Sequence, residues 1–413
     1  MPAETLAITS HSALCASSRR AHHAGMAETA DVIIVGAGVH GASLAFHLAE
    51  RGVRPLVVEK ATLAGGATGR SSGLVRMHYD VEAEARLAWR SSAYFRDWAH
   101  RVGGECSFTT VGFLQMVPPG EVPALRANTA MQQRIGIQTR LVEADDVRGL
   151  LPGIEIEDDQ LAAFEPLSGY ADPTQATSSL MAAAIAGGAR LVQGCAVTGV
   201  RVVGDQVAGV DTSRGPFDAP IVVDAAGAWA GRVAAMVGLK LPLSVWRHDV
   251  AYLQRPPDIP RHMAFIDFLN AFYARPEGES LTLVALEDGN PITGDPDAPV
   301  DAAAPGFIEK AAERVVRRLP GFARAGLHSG HSGQDGITPD QHPIIGPAGP
   351  DGFWLDCGFS GTGFKTAPAV GASLAQLITE GPAANDDLAI YRLERFAAGE
   401  PIVGEHPYAS MWR

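Results

Sequence analysis

Four consecutive apolar residues, Val32-Ile33-Ile34-Val35, open the first legible pattern in the chain. A run this short and apolar at every position reads as a strand buried on both faces, as parallel strands under helices are. Gly36-Ala37-Gly38-Val39-His40-Gly41 interrupts it. Ala42, Leu44, Ala45, Phe46, Leu48 and Ala49 then give a helix with a broad apolar face, closed by Gly52. Pro55-Leu56-Val57-Val58 is a second apolar strand, and it runs into Glu59.

Further along, residues 82–100 predict a helix, with Leu87, Trp89, Tyr94, Phe95 and Trp98 on one side. Residues 106–160 mix short strands with a polar helix. Another helix is predicted at 172–188. Strands follow at 190–193, 197–203, 206–211 and 221–224, separated by Gly, Asp and Pro turns. Residues 241–286 read as antiparallel sheet carrying Trp246, His248, Tyr252, Phe265, Phe268, Phe272 and Tyr273, aromatics that suit a core or a pocket wall. A Pro/Asp-rich loop (290–305) and a charged-faced helix (306–319) come next. Finally a short strand at 353–355 enters Gly358-Phe359-Ser360-Gly361-Thr362-Gly363-Phe364-Lys365, and a helix is predicted at 366–379. No internal repeat is present.

The first strand–turn–helix–strand unit has a chemistry. Gly36 permits the tight turn, Gly38 lets backbone approach a diphosphate, and Gly41 lets the helix pack closely on the strand. The helix aims its N–H groups and positive dipole end at the phosphates. Glu59, 18 residues after Gly41, stands where an acid accepts hydrogen bonds from ribose hydroxyls. The implied ligand is FAD or NAD. The last glycine loop also opens onto a helix N-terminus, and a protein holding one diphosphate has no need of a second such end for it.

Composition narrows the partners. A length of 413 residues implies two domains at ~100–200 residues each. With 46% hydrophobic and 19% charged residues the chain reads as soluble and globular, and its few unpaired cysteines suit a reducing cytoplasm. A net charge of −13 argues against nucleic acid or anionic membrane as a generic partner. Cys15, Cys106, Cys195 and Cys357 form no CxxC pair or metal-type cluster, so neither a disulfide framework nor a metal is expected. No apolar run approaches the ~20 residues that span a bilayer. Residues 1–27 read as a flexible extension.

Taken together, these motifs resemble the D-amino-acid-oxidase-like superfamily of FAD-dependent oxidoreductases, and within it the sarcosine oxidase type. The resemblance covers roughly residues 31–381. It rests on Gly36-x-Gly38-x-x-Gly41 with Glu59, on Gly66-Ala67-Thr68-Gly69-Arg70-Ser71-Ser72, and on Asp224-Ala225-Ala226-Gly227-Ala228-Trp229. It rests also on Ile337-Thr338-Pro339-Asp340 with Pro343-Ile344-Ile345-Gly346, and on the Gly358–Lys365 loop.

The resemblance implies an α/β fold (α+β overall) with a discontinuous Rossmann-like FAD-binding domain at 28–105, 166–238 and 327–385. The substrate domain, an antiparallel or mixed sheet, takes 106–165 and 239–326, and 386–413 form a C-terminal tail. The cofactor contacts it implies are Gly36, Gly38, Val39, His40, Gly41, Glu59, Lys60, Thr68, Arg70, Ser71, Ser72, Val197, Ala226, Gly227, Trp229, Gly361, Thr362, Gly363, Phe364 and Lys365. Covalently flavinylated members carry a cysteine where Gly333 stands here, so FAD is expected to be non-covalent. The last glycine loop would face the pyrimidine end of the flavin.

The expected reaction is oxidation of a C–N bond in a small amine or N-methyl amino acid, by hydride transfer to flavin N5. Arg76 and Lys365 would hold the substrate carboxylate, the first as a planar fork and the second as a compact charge. Lys365 is one of four lysines beside 29 arginines. His248 is a candidate site residue, and it, Tyr252, Tyr273, His78 and Tyr79 are candidates to help remove the amine proton. Arg275 is a reserve carboxylate ligand. Oxidases of this type use a lysine near the flavin to activate oxygen. None lies between Phe265 and Glu287, so oxygen and a separate electron acceptor both stay open. The alternatives are a D-amino acid or 2-hydroxy acid dehydrogenase on the same fold, or the flavin-holding beta subunit of a hetero-oligomeric oxidase. Homo- and hetero-oligomers are both compatible with the chain.

Overall fold

The computed structural model describes residues 28–289, 291–292, 294–298, 302–304, 306–383 and 387–409. The extension expected at 1–27 lies outside them.

Val32–Val35 becomes an inner strand of a six-stranded sheet. The order is Arg190–Val192, Pro55–Val58, Val32–Val35, Val222–Asp224, Phe353–Cys357 and Ile344–Pro347, all parallel except the last. Alternation along these strands divides the core in two. Val32, Ile34 and Val57 pack under the helices Val39–Glu50, Pro173–Ala186 and Gly363–Glu380. Ile33, Val35, Leu56 and Val58 point the other way, onto a four-stranded sheet of Glu28–Thr29, Val197–Val203, Gln206–Thr212 and Gly215–Asp218. A strand buried on both faces therefore reads as an unbroken apolar run.

The second large unit is an eight-stranded mixed sheet. Its order is Gly326–Ile337, Ser244–Gln254, Leu281–Leu286, Phe272–Glu277, Ala264–Asp267, Phe113–Met116, Leu161–Glu165 and Arg140–Glu143. The region 241–286, expected to be antiparallel, joins Phe113–Met116 through a parallel pairing at Ala264–Asp267. Residues 327–337, expected in the FAD-binding half, belong to the strand Gly326–Ile337, which pairs with Ser244–Gln254 along its whole length. The described part of 386–413 is docked rather than trailing: Arg395, 1% exposed, is paired with Asp340 at 2.8 Å.

Three further differences have local causes. The helix predicted over 82–100 ends at Arg96, because Asp97 leaves helical geometry (φ −135°, ψ 39°) and a separate turn, Trp98–Arg101, follows. The strand Gly215–Asp218 escaped notice because Gly and Pro open it. The C-terminal helix starts at Gly363, three residues before the expected Thr366, so Lys365 sits in its first turn.

That helix contains Pro368, which has no N–H to give to Phe364. Ser91, from the helix Glu82–Arg96, repairs the broken ladder. Its hydroxyl donates to the Thr366 carbonyl (3.1 Å) and accepts the Ala369 N–H (3.0 Å). Ser91→Ala should lower stability by about 1–2 kcal/mol, since it leaves a buried N–H and C=O unpaired. A thermal melt of the variant, a few degrees below the parent, checks this.

Candidate active site

The carboxyl ends of the parallel strands, the loop 65–76 and one face of the eight-stranded sheet enclose a cavity of about 490 Å³. Gly36 (φ +110°) turns the chain there, and a Cβ on it would lie 2.6 Å from the Ala225 carbonyl. Gly38 differs: its φ of −73° suits any residue, and an added Cβ would meet only Thr68 Oγ1, at 3.2 Å. Its backbone conformation does not require glycine, and it lines the cavity. Gly41 does not line the cavity. A Cβ on it would strike the Gly36 carbonyl at 2.0 Å, so it serves helix–strand packing.

Side chains complete this turn. Glu59 accepts the Ala37 N–H (2.9 Å) and the Ala61 N–H (2.7 Å), bracing the turn from the end of the second strand. Thr68 Oγ1 accepts the Val39 N–H at 3.0 Å, so one N–H of the helix end is already satisfied by protein. Arg70 donates to the carbonyls of Gly65 and Gly66, and Ser71 Oγ accepts the Gly73 N–H. Val197, Ala226, Gly227, Ser72 and Trp229 also line the wall. Lys60 lies over the Trp229 ring (3.6 Å) and pairs with Asp297 (3.1 Å), which also accepts the Trp229 indole N–H at 2.7 Å. That hydrogen bond, with Arg232 and Lys60, holds the Asp297 carboxyl well below the usual range.

His40 ties the two glycine loops together. Its Nε2 lies 3.0 Å from the Gly363 carbonyl, its ring stacks on Phe359 (3.5 Å), and its Nδ1 is 3.4 Å from Asp356. The far loop is itself constrained. Ser360 holds φ +51°, a left-handed conformation that costs ~1–2 kcal/mol. Hydrogen bonds from its own N–H to Gly336 (3.1 Å) and from Thr338 to its hydroxyl (3.2 Å) keep it there. Gly361, Gly363, Phe364 and Lys365 line the cavity. Thr362 does not; its hydroxyl is spent on the Phe359 carbonyl (2.8 Å). The loop end is less positive than its sequence suggests, because Asp335 accepts the Gly361 N–H at 2.8 Å. Burial pushes the Asp335 carboxyl up.

Beyond this loop the cavity gathers Arg76, Lys365, His248, Tyr273 and Glu287. Arg76 is carried just past the strand Leu74–Val75, and buried Glu165 anchors its neighbour by accepting the Met77 N–H (2.9 Å). Its guanidinium lies over Tyr79 (4.5 Å) and donates through Nη1 to the His78 carbonyl, while Nε is buried without a partner. Burial, then Arg76, brings Lys365 down to about 7. Burial raises Glu287 to about 7 against the pull of Arg76 and Lys365. His248, whose Nε2 meets the Tyr273 hydroxyl at 2.9 Å, is lowered by burial to about 4 and is neutral at pH 7.

Four other candidates fall outside. His78 faces Tyr408 (2.7 Å) and is driven by burial to about 3. Tyr79 lies beneath Arg76, and Tyr252 is beside His331 (5.7 Å). Arg275 is committed to Glu277 (2.6 Å) and the Ser72 carbonyl, so it is no reserve ligand. Sequence reasoning passed over Glu287 and Asp335. Glu287 follows an apolar strand beside a second acid, Asp288, and nothing local distinguishes the two.

The geometry suits an adenine dinucleotide. A glycine turn without a side chain at Gly38, a helix end and an acid occupy one end, and two buried cations, Arg76 with an unpaired Nε, occupy the other. Comparison with known proteins agrees. The family model for FAD-dependent oxidoreductases of the DAO type matches residues 31–377. Mouse mitochondrial sarcosine dehydrogenase is 30% identical over 386 residues, 89% of this chain and 41% of that protein. Sarcosine oxidase subunit beta of Rhodobacter capsulatus is 25% identical, with 90% of each chain covered. L-Proline dehydrogenase of P. horikoshii superimposes with a TM-score of 0.84 and 26% identity, covering 91% of this chain and all of that one. The chain spans about two fifths of the sarcosine dehydrogenases it matches.

Proposed function

Because the chain belongs to the DAO family of FAD-dependent oxidoreductases, we propose that it oxidises the C–N bond of a small amine or N-methyl amino acid. One observation carries the reading: a single cavity joins the diphosphate-type turn at Gly36–Gly41 to two buried cations, Arg76 and Lys365. A small amino acid fits this pattern, its carboxylate held by the cations and its amine beyond them.

FAD, when bound, supplies the two-electron acceptor. The Gly36–Gly41 turn would hold its diphosphate and Glu59 its ribose. The residues that line the remainder, from Thr68 to Ser72 and from Ala226 to Trp229, would enclose it. Binding is non-covalent in this reading: Gly333 abuts Arg70, leaving no side chain there to bond a ring, and Cys357 is buried outside the cavity. Arg76 and Lys365 orient the substrate, and Trp246, Ile266, Tyr273 and Leu286 restrict water around it. We place the protein in the cytoplasm, where the buried thiols of Cys106, Cys195 and Cys357 would stay reduced.

Anaerobic mixing with a panel of amines, N-methyl amino acids, D-amino acids and hydroxy acids tests this. N-methyl amino acids should bleach the flavin, and acid precipitation should leave the yellow colour in the supernatant. Bleaching by hydroxy acids alone, or colour retained in the pellet, would overturn the substrate class or the non-covalent attachment respectively. Re-oxidation by air against dye then separates oxidase from dehydrogenase.

A second reading is favoured by length: the R. capsulatus relative, matched over 90% of its length, is named as a subunit. The chain would then hold flavin within a hetero-oligomer and turn over poorly alone. Size-exclusion chromatography with the products of neighbouring genes, beside the activity of the lone chain, distinguishes the two.

A further inference from the structure

We propose that Glu287 is the ammonium subsite of this cavity and takes the proton that an amino acid must lose before its C–N bond is oxidised. The inference rests on the amine-oxidation reading. Its basis is an asymmetry among the charged groups at this end. Arg76 enters from the segment after Leu74–Val75 and Lys365 from the first turn of the C-terminal helix. Glu287 enters from the end of the strand Leu281–Leu286. A zwitterion brings one group for each sign. The two cations match its carboxylate, and an anion is left for its ammonium.

Of the carboxylates lining the cavity, Glu59 braces the first glycine turn, Asp297 pairs with Lys60 and Asp356 faces His40 at 3.4 Å, which leaves Glu287 and Asp335. Asp335 is spent within the protein, accepting the N–H groups of Gly361 and Gly336, both at 2.8 Å. No donor among the described residues hydrogen-bonds the Glu287 carboxylate, although its backbone N–H is fixed on the Ala271 carbonyl at 2.8 Å. Its neighbour Asp288 is turned outward to Lys310 (3.2 Å) and Arg314 (2.8 Å) on the helix Phe307–Arg318. Tyr273, across the sheet, also lies in the field of Glu287 but is tied to His248. His248 is a weaker acceptor, because burial disfavours its protonated form more strongly. The anion that remains available at the substrate end is Glu287.

The step balances. One ammonium N–H bond breaks and an O–H bond forms on Glu287. The electron pair of the broken bond stays on nitrogen, which becomes the neutral amine that a two-electron oxidation requires. Burial that holds Glu287 near neutrality suits this exchange, since a base works best with its pKa close to the working pH.

The variants are E287Q and Glu287→Asp in the flavin-loaded full-length chain, read by the flavin spectrum. Acetate, a carboxylate without an amine, should bind E287Q as well as or better than the parent, because an opposing charge is gone. N-methylglycine should bind at least about tenfold more weakly. The parent's rate of flavin bleaching should pass through a maximum near pH 7, its rising limb set by ionisation of Glu287 and its falling limb by loss of the Lys365 proton. E287Q should keep only the falling limb, and Glu287→Asp should restore the rising one. Glu84 and Asp335 also act on the Lys365 charge, so Lys365→Met is the control for the falling limb.

Equal changes for acetate and N-methylglycine, or a rising limb that survives in E287Q, would overturn the assignment. If the parent itself is bleached by hydroxy acids but by no amine, the amine reading fails and the assignment with it. That result is recognisable without any variant.

Discussion

Gly38→Val should yield a folded, colourless protein. The backbone at 38 is extended (φ −73°, ψ −178°), a region that valine favours, and the nearest atom to a new Cβ is the Thr68 hydroxyl at 3.2 Å. The free chain should therefore lose far less than at Gly36, at most a small shift of Thr68, while the branched side chain would occupy the space where the proposed diphosphate meets the turn. Gly36→Ala is the contrast. There φ is +110° and the Ala225 carbonyl lies 2.6 Å from the added carbon. Strain and overpacking together should cost on the order of 3 kcal/mol or more, in the presence or absence of cofactor. Flavin absorbance per mole of protein, with a thermal melt of the apoprotein, separates the two. A yellow Gly38→Val protein would contradict the diphosphate assignment.

Lys365→Ala should weaken carboxylate substrates by about 2–3 kcal/mol, roughly 30- to 150-fold in affinity, and leave FAD bound. The penalty is large because the ammonium is desolvated, and Arg76 is then the single cation on the carboxylate. The pH dependence has a defined sign. Lys365 is charged below about 7 and neutral above it, so carboxylate affinity in the parent should fall as pH rises through that value. Glu287 becomes anionic over the same range and adds to the fall. The variant should keep the Glu287 part alone. Spectral titration with acetate from pH 6 to 9 measures both; kinetics unchanged in the variant would remove Lys365 from the site.

The parts of this site legible in the sequence are those whose physics is local. A glycine turn between an apolar strand and an amphipathic helix carries its own signature, and so does the loop from Gly358 to Lys365. Their convergence was less visible. It depends on His40 reaching Gly363 across 323 residues, and on Thr68 capping Val39 from 29 residues away. Glu287, Asp335 and Ser91 left no mark, because each is defined by what packs against it. The same limit explains Arg275: its sequence neighbours suggested a ligand, while Glu277 and Ser72 had already engaged it.

The order of strands in the parallel sheet has a consequence for biosynthesis. Val222–Asp224 lies between Val32–Val35, made early, and Phe353–Cys357, made near the end. A nascent chain emerging from the ribosome carries one flank of its central strand uncovered until the last quarter has been translated. Cofactor capture must await that closing piece, and a polypeptide stopped before Phe353 should neither take up FAD nor hide its apolar edge from chaperones.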